Sequence, residues 1–194
     1  MPRNKEFDPE AALEKAMQLF WRKGYFDTSI EDLVQYVGVN RYGLYGTFGN
    51  KHGLFLATLD RYQEMMFANA LQGIDSPQAS MGDIQDFFEH LVALAKTPQG
   101  QLGCLIFNTA TEVAPHDPEV ADKVRAYLTR LAQAFCRALE NAKHREEIPA
   151  HIDVGEHADY LVGVIQGFTA YARSPADRQA IEHFARVALS TLKS

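Results

Sequence analysis

The residues best suited to chemistry lie in one short segment, VGVNRYGLYGTFGNK, which covers residues 37–51. Arg41 and Lys51 supply positive charge, while Asn40 and Thr47 can each donate and accept hydrogen bonds. An arginine can form two parallel hydrogen bonds to a guanine edge or pair with a phosphate, and a threonine can contact a thymine methyl group or a phosphate. These residue types therefore indicate contact with a nucleic acid.

Two short helices are predicted to position these side chains. The stretch TSIEDLVQYVG predicts a helix whose capping box joins Thr28 to Glu31, and a second short helix begins after Asn40. A longer helix over residues 9–23 precedes both. Two short helices with a Gly-containing turn, supported by a third, form a helix-turn-helix, in which the first helix crosses the phosphate backbone and the second enters the major groove.

The second short helix is predicted to have an inner and an outer side. Three apolar side chains pack inward: Val39, Leu44 and Phe48. Gly43 and Gly46 are expected to remove side chains where the backbone approaches DNA closely. Arg41, Tyr42 and Thr47 then project outward toward the duplex.

The segment TSIEDLVQYVGVNRYGLYGTFGNKHGLF resembles the DNA-binding region of the TetR (tetracycline-repressor) family of bacterial transcription regulators. The resemblance rests on KGYFDTSIEDL, the GV turn and LYGTFGNKHGLF, and it covers roughly the first 60 residues. It implies phosphate contacts by Thr28, Tyr45 and Lys51. The full set of expected DNA-contacting residues is Thr28, Asn40, Arg41, Tyr42, Tyr45, Thr47 and Lys51.

Two departures from the family pattern affect this comparison. Asn40-Arg41-Tyr42 stands where many members have Ser-x-Gly, and Thr47 replaces a common His or Tyr. The mode of DNA binding is expected to survive both changes, but the base preference of other members cannot be carried over.

The rest of the chain also shows helical periodicity, so the predicted fold class is all-α. Further helices are predicted over residues 51–71, 81–96, 103–114, 118–143, 155–173 and 177–192, with a loop over residues 73–82. We expect a helix-turn-helix domain over residues 1–56 and a helical effector-binding and dimerisation domain over residues 57–194.

In the resembled family, the second domain contains a small-molecule effector pocket and a homodimer interface built by the last two long helices. Gly163 and Gly167 would allow close approach in such an interface, although the apolar faces of these two helices could instead be buried within one subunit. The expected effector-binding residues are Phe67, Phe88, Leu91, Cys104, Phe107, Asn108, Glu112, Tyr127 and Tyr160, with Met65, Phe87 and Leu105 as further candidates. Aromatic and Met side chains at this spacing usually belong to the core, which is the alternative interpretation for each of them.

Cys104 lies in a GCL motif at the predicted beginning of a helix. A helix N-terminus stabilises a thiolate, so we expect a lowered pKa for this thiol. The motif resembles a subset of the family in which such a cysteine responds to electrophiles or oxidants. The alternative is a small buried core residue, which is also the interpretation for Cys136.

Other functional classes find little support in the sequence. There is no G-x-S-x-G, H-E-x-x-H or phosphate-binding loop, so we expect neither an enzyme nor a cofactor. We also expect no metal site, because the spacing of Glu112, His116 and Asp117 does not match that of known metal ligands. No apolar run suits a membrane span or a signal peptide, and two distant cysteines suggest no disulfide, which predicts a cytoplasmic protein. A net charge of −6 excludes little, because residues 1–56 hold seven cations and seven anions. The alternative function is a helical ligand-binding protein with vestigial DNA binding.

Overall fold

A computed structural model of the chain describes residues 7–174 and 178–193. Within these residues every regular element is helical, which confirms the all-α prediction. The α-helices are α1 (Pro9–Lys23), α2 (Ile30–Val37), α3 (Arg41–Phe48), α4 (Lys51–Ala68), α5 (Gln72–Asp75), α6 (Met81–Ala95), α7 (Leu105–Glu112), α8 (Pro118–His144), α9 (Val154–Arg173) and α10 (Arg178–Ser190). Short 3₁₀ turns cover Gly100–Leu102 and Ala114–His116.

The predicted helix boundaries agree closely with these bounds, with two exceptions. The segment predicted as a loop over residues 73–82 overlaps α5, a single turn whose Ile74 is buried. The predicted beginning of the last helix, residue 177, lies outside the described residues.

Local side-chain hydrogen bonds fix the ends of α1 and α2. Asp8 caps α1 by accepting a hydrogen bond from the Glu10 N–H at 2.9 Å. The capping box of α2 is formed by Ser29 and Asp32, so the predicted Thr28–Glu31 box is wrong. Thr28 lies one residue too early: its hydroxyl donates to the Gly24 carbonyl at 2.5 Å inside the turn between the two helices.

The long helix α4 joins the two parts of the chain. It packs on α1 and α3 in the first domain and on α5, α7 and α8 in the second. The ring of Phe55 on α4 lies 5.0 Å from that of Phe20 and 4.6 Å from that of Tyr25, measured between centroids. One hydrophobic core runs from these rings through α1 and α4 into the second domain.

The second domain is a helical bundle in which α8 packs on α9, and α10 packs on α6 and α9. The outer sides of α9 and α10 retain exposed apolar side chains, including Tyr160, Tyr171 and Val187. None of the helices that the structure describes is both long and apolar enough to cross a bilayer.

Candidate nucleic-acid interface and effector region

The helix α3 is held firmly in the first domain. The Asn40 side chain accepts a hydrogen bond from the Gly43 N–H at 2.8 Å, which caps the helix. Leu44 is completely buried, and Val39 and Phe48 pack against the same core. The inward-facing set predicted from the sequence is therefore confirmed.

Two side chains at the beginning of α3 extend into solvent. Tyr42 is 80% exposed and Arg41 is exposed beside it. The guanidinium carbon of Arg41 lies 5.2 Å from the centroid of the half-buried Tyr45 ring, a cation–π distance. Thr47, one turn further on, is half-buried. This surface offers a cation, a phenol and hydroxyl groups to a partner.

The two glycines of α3 do not share one role. A Cβ atom at Gly46 would meet nothing within 4 Å, so this position is open to a partner. A Cβ atom at Gly43 would lie 2.9 Å from Cγ1 of Val39 and 3.2 Å from the Phe7 ring. Gly43 therefore faces the interior of the domain, and its predicted role in close approach to DNA is wrong.

Two of the residues that were expected to contact phosphates interact instead with other parts of the protein. Thr28 is 0% exposed with its hydroxyl bonded to a backbone carbonyl, so a direct phosphate contact by this side chain is contradicted. The ammonium group of Lys51 lies 4.3 Å from the centroid of the Tyr25 ring. Burial lowers the pKa of Lys51, and the nearby carboxylate of Glu112 partly offsets that effect.

Polar contacts between described residues join the first domain to the second. The Phe26 N–H donates to Oε1 of Glu112 at 2.9 Å, and the Trp21 indole donates to the Gly103 carbonyl at 3.2 Å. Nε2 of His52, at the beginning of α4, lies 2.7 Å from Oδ2 of Asp117, the N-cap of α8. Reasoning from the sequence missed this junction because its partners lie 65 to 86 positions apart.

The expected effector-binding residues do not line one common cavity among the described residues. One group is core: the Tyr127 ring centroid lies 5.6 Å from that of Phe67 and 6.3 Å from that of Phe107. The others lie in three separate places. Phe88 borders a groove between α6 and α10, beside the buried Leu91. Tyr160 lies on the outer side of α9, and Asn108 and Glu112 border a groove at the domain junction.

Cys104 immediately precedes α7 and is 5% exposed. Hydrogen bonds join its thiol to the hydroxyls of Tyr62 on α4 and Tyr127 on α8. Burial raises the pKa of the thiol, and this outweighs the hydrogen bonds and the backbone N–H groups of α7 that favour the thiolate. The predicted lowering of the pKa is therefore wrong, because desolvation exceeds the effect of the helix N-terminus.

No described group of three or more His, Cys, Asp or Glu side chains is arranged to hold a metal ion. In particular, Asp117 is paired with His52, and Glu112 is bonded to the backbone of the first domain.

The helices α1 to α4 have the arrangement of a helix-turn-helix DNA-binding regulator, and this defines the class of protein. Comparison with known proteins agrees. Residues 12–58 match the family described as bacterial regulatory proteins, tetR family, and residues 81–188 match the tetracyclin repressor-like C-terminal domain.

Individual proteins give the same result over nearly the whole chain. The uncharacterized HTH-type transcriptional regulator YezE of Bacillus subtilis is 34% identical over 99% of this chain and 100% of its own length. The transcriptional repressor ComR of Escherichia coli is 33% identical over 98% and 90%. A cysteine-substituted CifR, a TetR family regulator solved with 26-bp operator DNA, has 25% identity and a TM-score of 0.83 over 98% of both chains.

The chain belongs to the TetR family of transcription regulators. It is a DNA-binding regulator and not an enzyme.

Proposed function

We propose that this regulator is a homodimeric repressor that binds a pseudo-palindromic operator and is released from it by a small effector or by modification of a thiol. The observation that carries the proposal is the unbroken course of α4. This helix begins beside α3 and ends in the second domain, where Phe67 packs on Tyr127. A change in the second domain therefore has a direct path to the recognition helix. Residues 1–56 would act as the DNA-binding unit, and residues 57–194 as the effector and dimer unit.

The DNA contacts would come from the exposed part of α3. Arg41 and Tyr42 face the major groove in this proposal, with Asn40 and Thr47 at the two ends of the helix. The Tyr45 ring would pack against the guanidinium of Arg41, and the Tyr45 hydroxyl would contact a phosphate. Lys51 would have to leave the Tyr25 ring to reach a phosphate, so we assign it a smaller share of the affinity. Repression is favoured over activation because the relative ComR is a repressor.

The dimer would be built on the outer side of α9 and α10. An open groove of about 560 Å³ lies there between Tyr160, Val164, Phe184 and Val187. Val187 is 51% exposed and Tyr160 is 43% exposed, and because both line this groove the exposed apolar side chains form one patch. A second copy would cover this apolar surface and place two α3 helices on one side of the duplex.

Modification of a thiol is a second candidate for release, and the tight packing around Cys104 suggests how it would act. An added group on this sulfur would have no space between Tyr62 and Tyr127, so it would push α4 and α8 apart. The CifR structures carry cysteine substitutions, which directs attention to thiols in that relative. In this chain the buried, protonated thiol of Cys104 would react only after local opening.

A gel shift with salt titration tests the repressor proposal. Reduced protein is titrated onto DNA from upstream of its own gene, with Arg41→Ala as the test variant and Arg145→Ala as the control. Arg145 follows the far end of α8, a 27-residue helix about 40 Å long that begins next to α4. We expect a discrete complex that weakens steeply with salt, and an affinity lowered about 5- to 150-fold by Arg41→Ala alone. Equal affinity of both variants would contradict the assignment of α3 as the reading element.

A further inference from the structure

A groove of about 610 Å³ lies at the junction of the two domains. Phe26, from the turn between α1 and α2, forms one wall, while Asn108, Thr111 and Glu112 of α7 and Arg173 of α9 form the others. This volume is within the range of small-molecule sites. The groove is separate from the core cluster around Tyr127 and from the outer side of α9 and α10.

The two ends of the groove differ in character. At one end, Asn108 lies next to Arg173: a Cβ atom placed on Gly103 would be 3.4 Å from Oδ1 of Asn108 and 3.6 Å from Cβ of Arg173. At the other end, one helical turn along α7, Glu112 accepts the Phe26 N–H. The groove thus runs from a guanidinium and an amide to a carboxylate and an aromatic ring.

The cationic end of the groove can donate hydrogen bonds to a ligand. Arg173 is exposed and, among residues 7–174 and 178–193, forms no ion pair. The Asn108 amide donates one hydrogen to the Leu102 carbonyl at 3.0 Å, which leaves a second hydrogen for another acceptor. A planar guanidinium with a neighbouring amide donor matches the geometry of a carboxylate.

The opposite end would take an apolar ring. Phe26 is 59% exposed, although its neighbour Tyr25 is packed in the aromatic core. The carboxylates of Glu112 and Asp27 border this end, and the Lys23 ammonium there is already held in an ion pair, so the negative charge of a ligand would be placed at the opposite end. One turn of α7, about 5 Å, separates the two ends, which is the span of a small aromatic acid.

We propose that the junction groove is a binding site for small aromatic carboxylates, with the carboxylate on Arg173 and Asn108 and the ring on Phe26. Such a ligand would contact α7 and α9 of the second domain and the α1–α2 turn of the first. Occupancy would therefore alter operator affinity, and this consequence rests on the proposed repressor function.

Binding of 2-naphthoate to the full-length protein without DNA tests the site, and it is measured by two-dimensional amide NMR and by calorimetry. The neutral analogue 2-naphthamide is the ligand control. Arg173→Gln removes the charge, Ala170→Phe fills the groove from an exposed position on α9, and Arg145→Gln is the control variant. We expect saturable binding whose shifts cluster at the groove. Binding should weaken at least about tenfold with the amide and with the first two variants, and should be unchanged in the control.

Absence of saturable binding, or binding that both groove variants leave intact, would overturn the proposal. Operator affinity is then measured with and without 2-naphthoate. A change of several-fold in the wild type that is lost in Arg173→Gln supports the regulatory consequence, and an unchanged affinity overturns it. If no operator is bound at all while naphthoate still binds at the groove, the repressor proposal fails and the site stands.

Discussion

Few side chains of α3 remain available for recognition once its packing is taken into account. Leu44 belongs to the core, Asn40 caps the helix, and Tyr45 lies beneath the guanidinium of Arg41. Arg41 and Tyr42 extend furthest into solvent. Base specificity in this protein should therefore depend mainly on two adjacent residues, which are also where the sequence departs from the family pattern.

Substitution of Thr28 tests whether this residue has a structural role or a DNA-binding role. Thr28→Val keeps the shape of the side chain but leaves the Gly24 carbonyl without its donor. The free energy of unfolding should fall by about 1–3 kcal/mol in a urea titration, while the operator affinity of the folded protein stays the same. Thr28→Ser, which keeps the hydroxyl, is the matched control. Unchanged stability with weakened operator binding would restore Thr28 to the DNA interface.

Thiol reactivity tests the environment of Cys104. Burial raises the pKa of both Cys104 and Cys136, but Cys136 is only half-buried. With Ellman's reagent at pH 8, the Cys136→Ser protein should react at least about tenfold more slowly than the Cys104→Ser protein, and urea should remove the difference. A native Cys104 that reacts as fast as Cys136 would show the activated thiol that its position before α7 first suggested.

At the scale of elements, α7 and α4 connect the second domain to the DNA-binding unit. Glu112, at the end of α7, bonds to the turn between α1 and α2, and Gly24 in that turn leaves room for its carboxylate: a Cβ atom there would lie 2.9 Å from both oxygens. His52 ties the beginning of α4 to the cap of α8. A movement of α7 or α8 would therefore reach α3 through two attachments.

The pair formed by His52 and Asp117 should make this junction sensitive to acid. Burial raises the pKa of Asp117, but hydrogen bonds from the Val120 N–H and from His52 outweigh it and hold the pKa below its ordinary value. The carboxylate therefore contributes stability above its ordinary pKa, and this stability is lost as the pH falls through the lower pKa of the folded state.

Asp117→Asn keeps a helix cap and removes the charge. Its thermal midpoint should lie below that of the wild type at pH 7, and the gap should narrow as the pH is lowered below about 4. Calorimetry across this range makes the comparison. A gap that stays constant with pH would show that the geometry of the cap matters and the charge does not.

The sequence was informative wherever the cause of a structure is local. Caps, helix stops and apolar periodicity predicted the helix boundaries and the inward set of α3. The errors arose where distant residues decide. Gly43 accommodates the ring of Phe7, and the thiol of Cys104 is desolvated by α4 and α8. The error at the capping box of α2 has a local cause. Two overlapping motifs begin at Thr28 and Ser29, and because the Thr28 hydroxyl is buried on the Gly24 carbonyl, Ser29 is the cap.

At the scale of the whole molecule, the proposed activity requires two copies. Val187→Glu would bury a charge in the proposed α9–α10 interface, whereas Arg186→Glu places the same side chain on the neighbouring position, which faces α6. By light scattering, wild type and Arg186→Glu should have twice the 21.8 kDa chain mass, and Val187→Glu should approach 21.8 kDa. A dimer that survives Val187→Glu would place the interface elsewhere.

The most direct test of the central claim is a binding selection from genomic DNA fragments, with the wild type and Arg41→Ala in parallel. Two α3 helices on a dimer should enrich an inverted repeat whose half-site centres lie about 34–36 Å apart along the duplex. The Arg41→Ala protein should lose or alter that sequence while keeping weak, salt-sensitive binding. No enriched sequence in the wild type, or the same sequence at the same strength in the variant, would contradict recognition of DNA by α3.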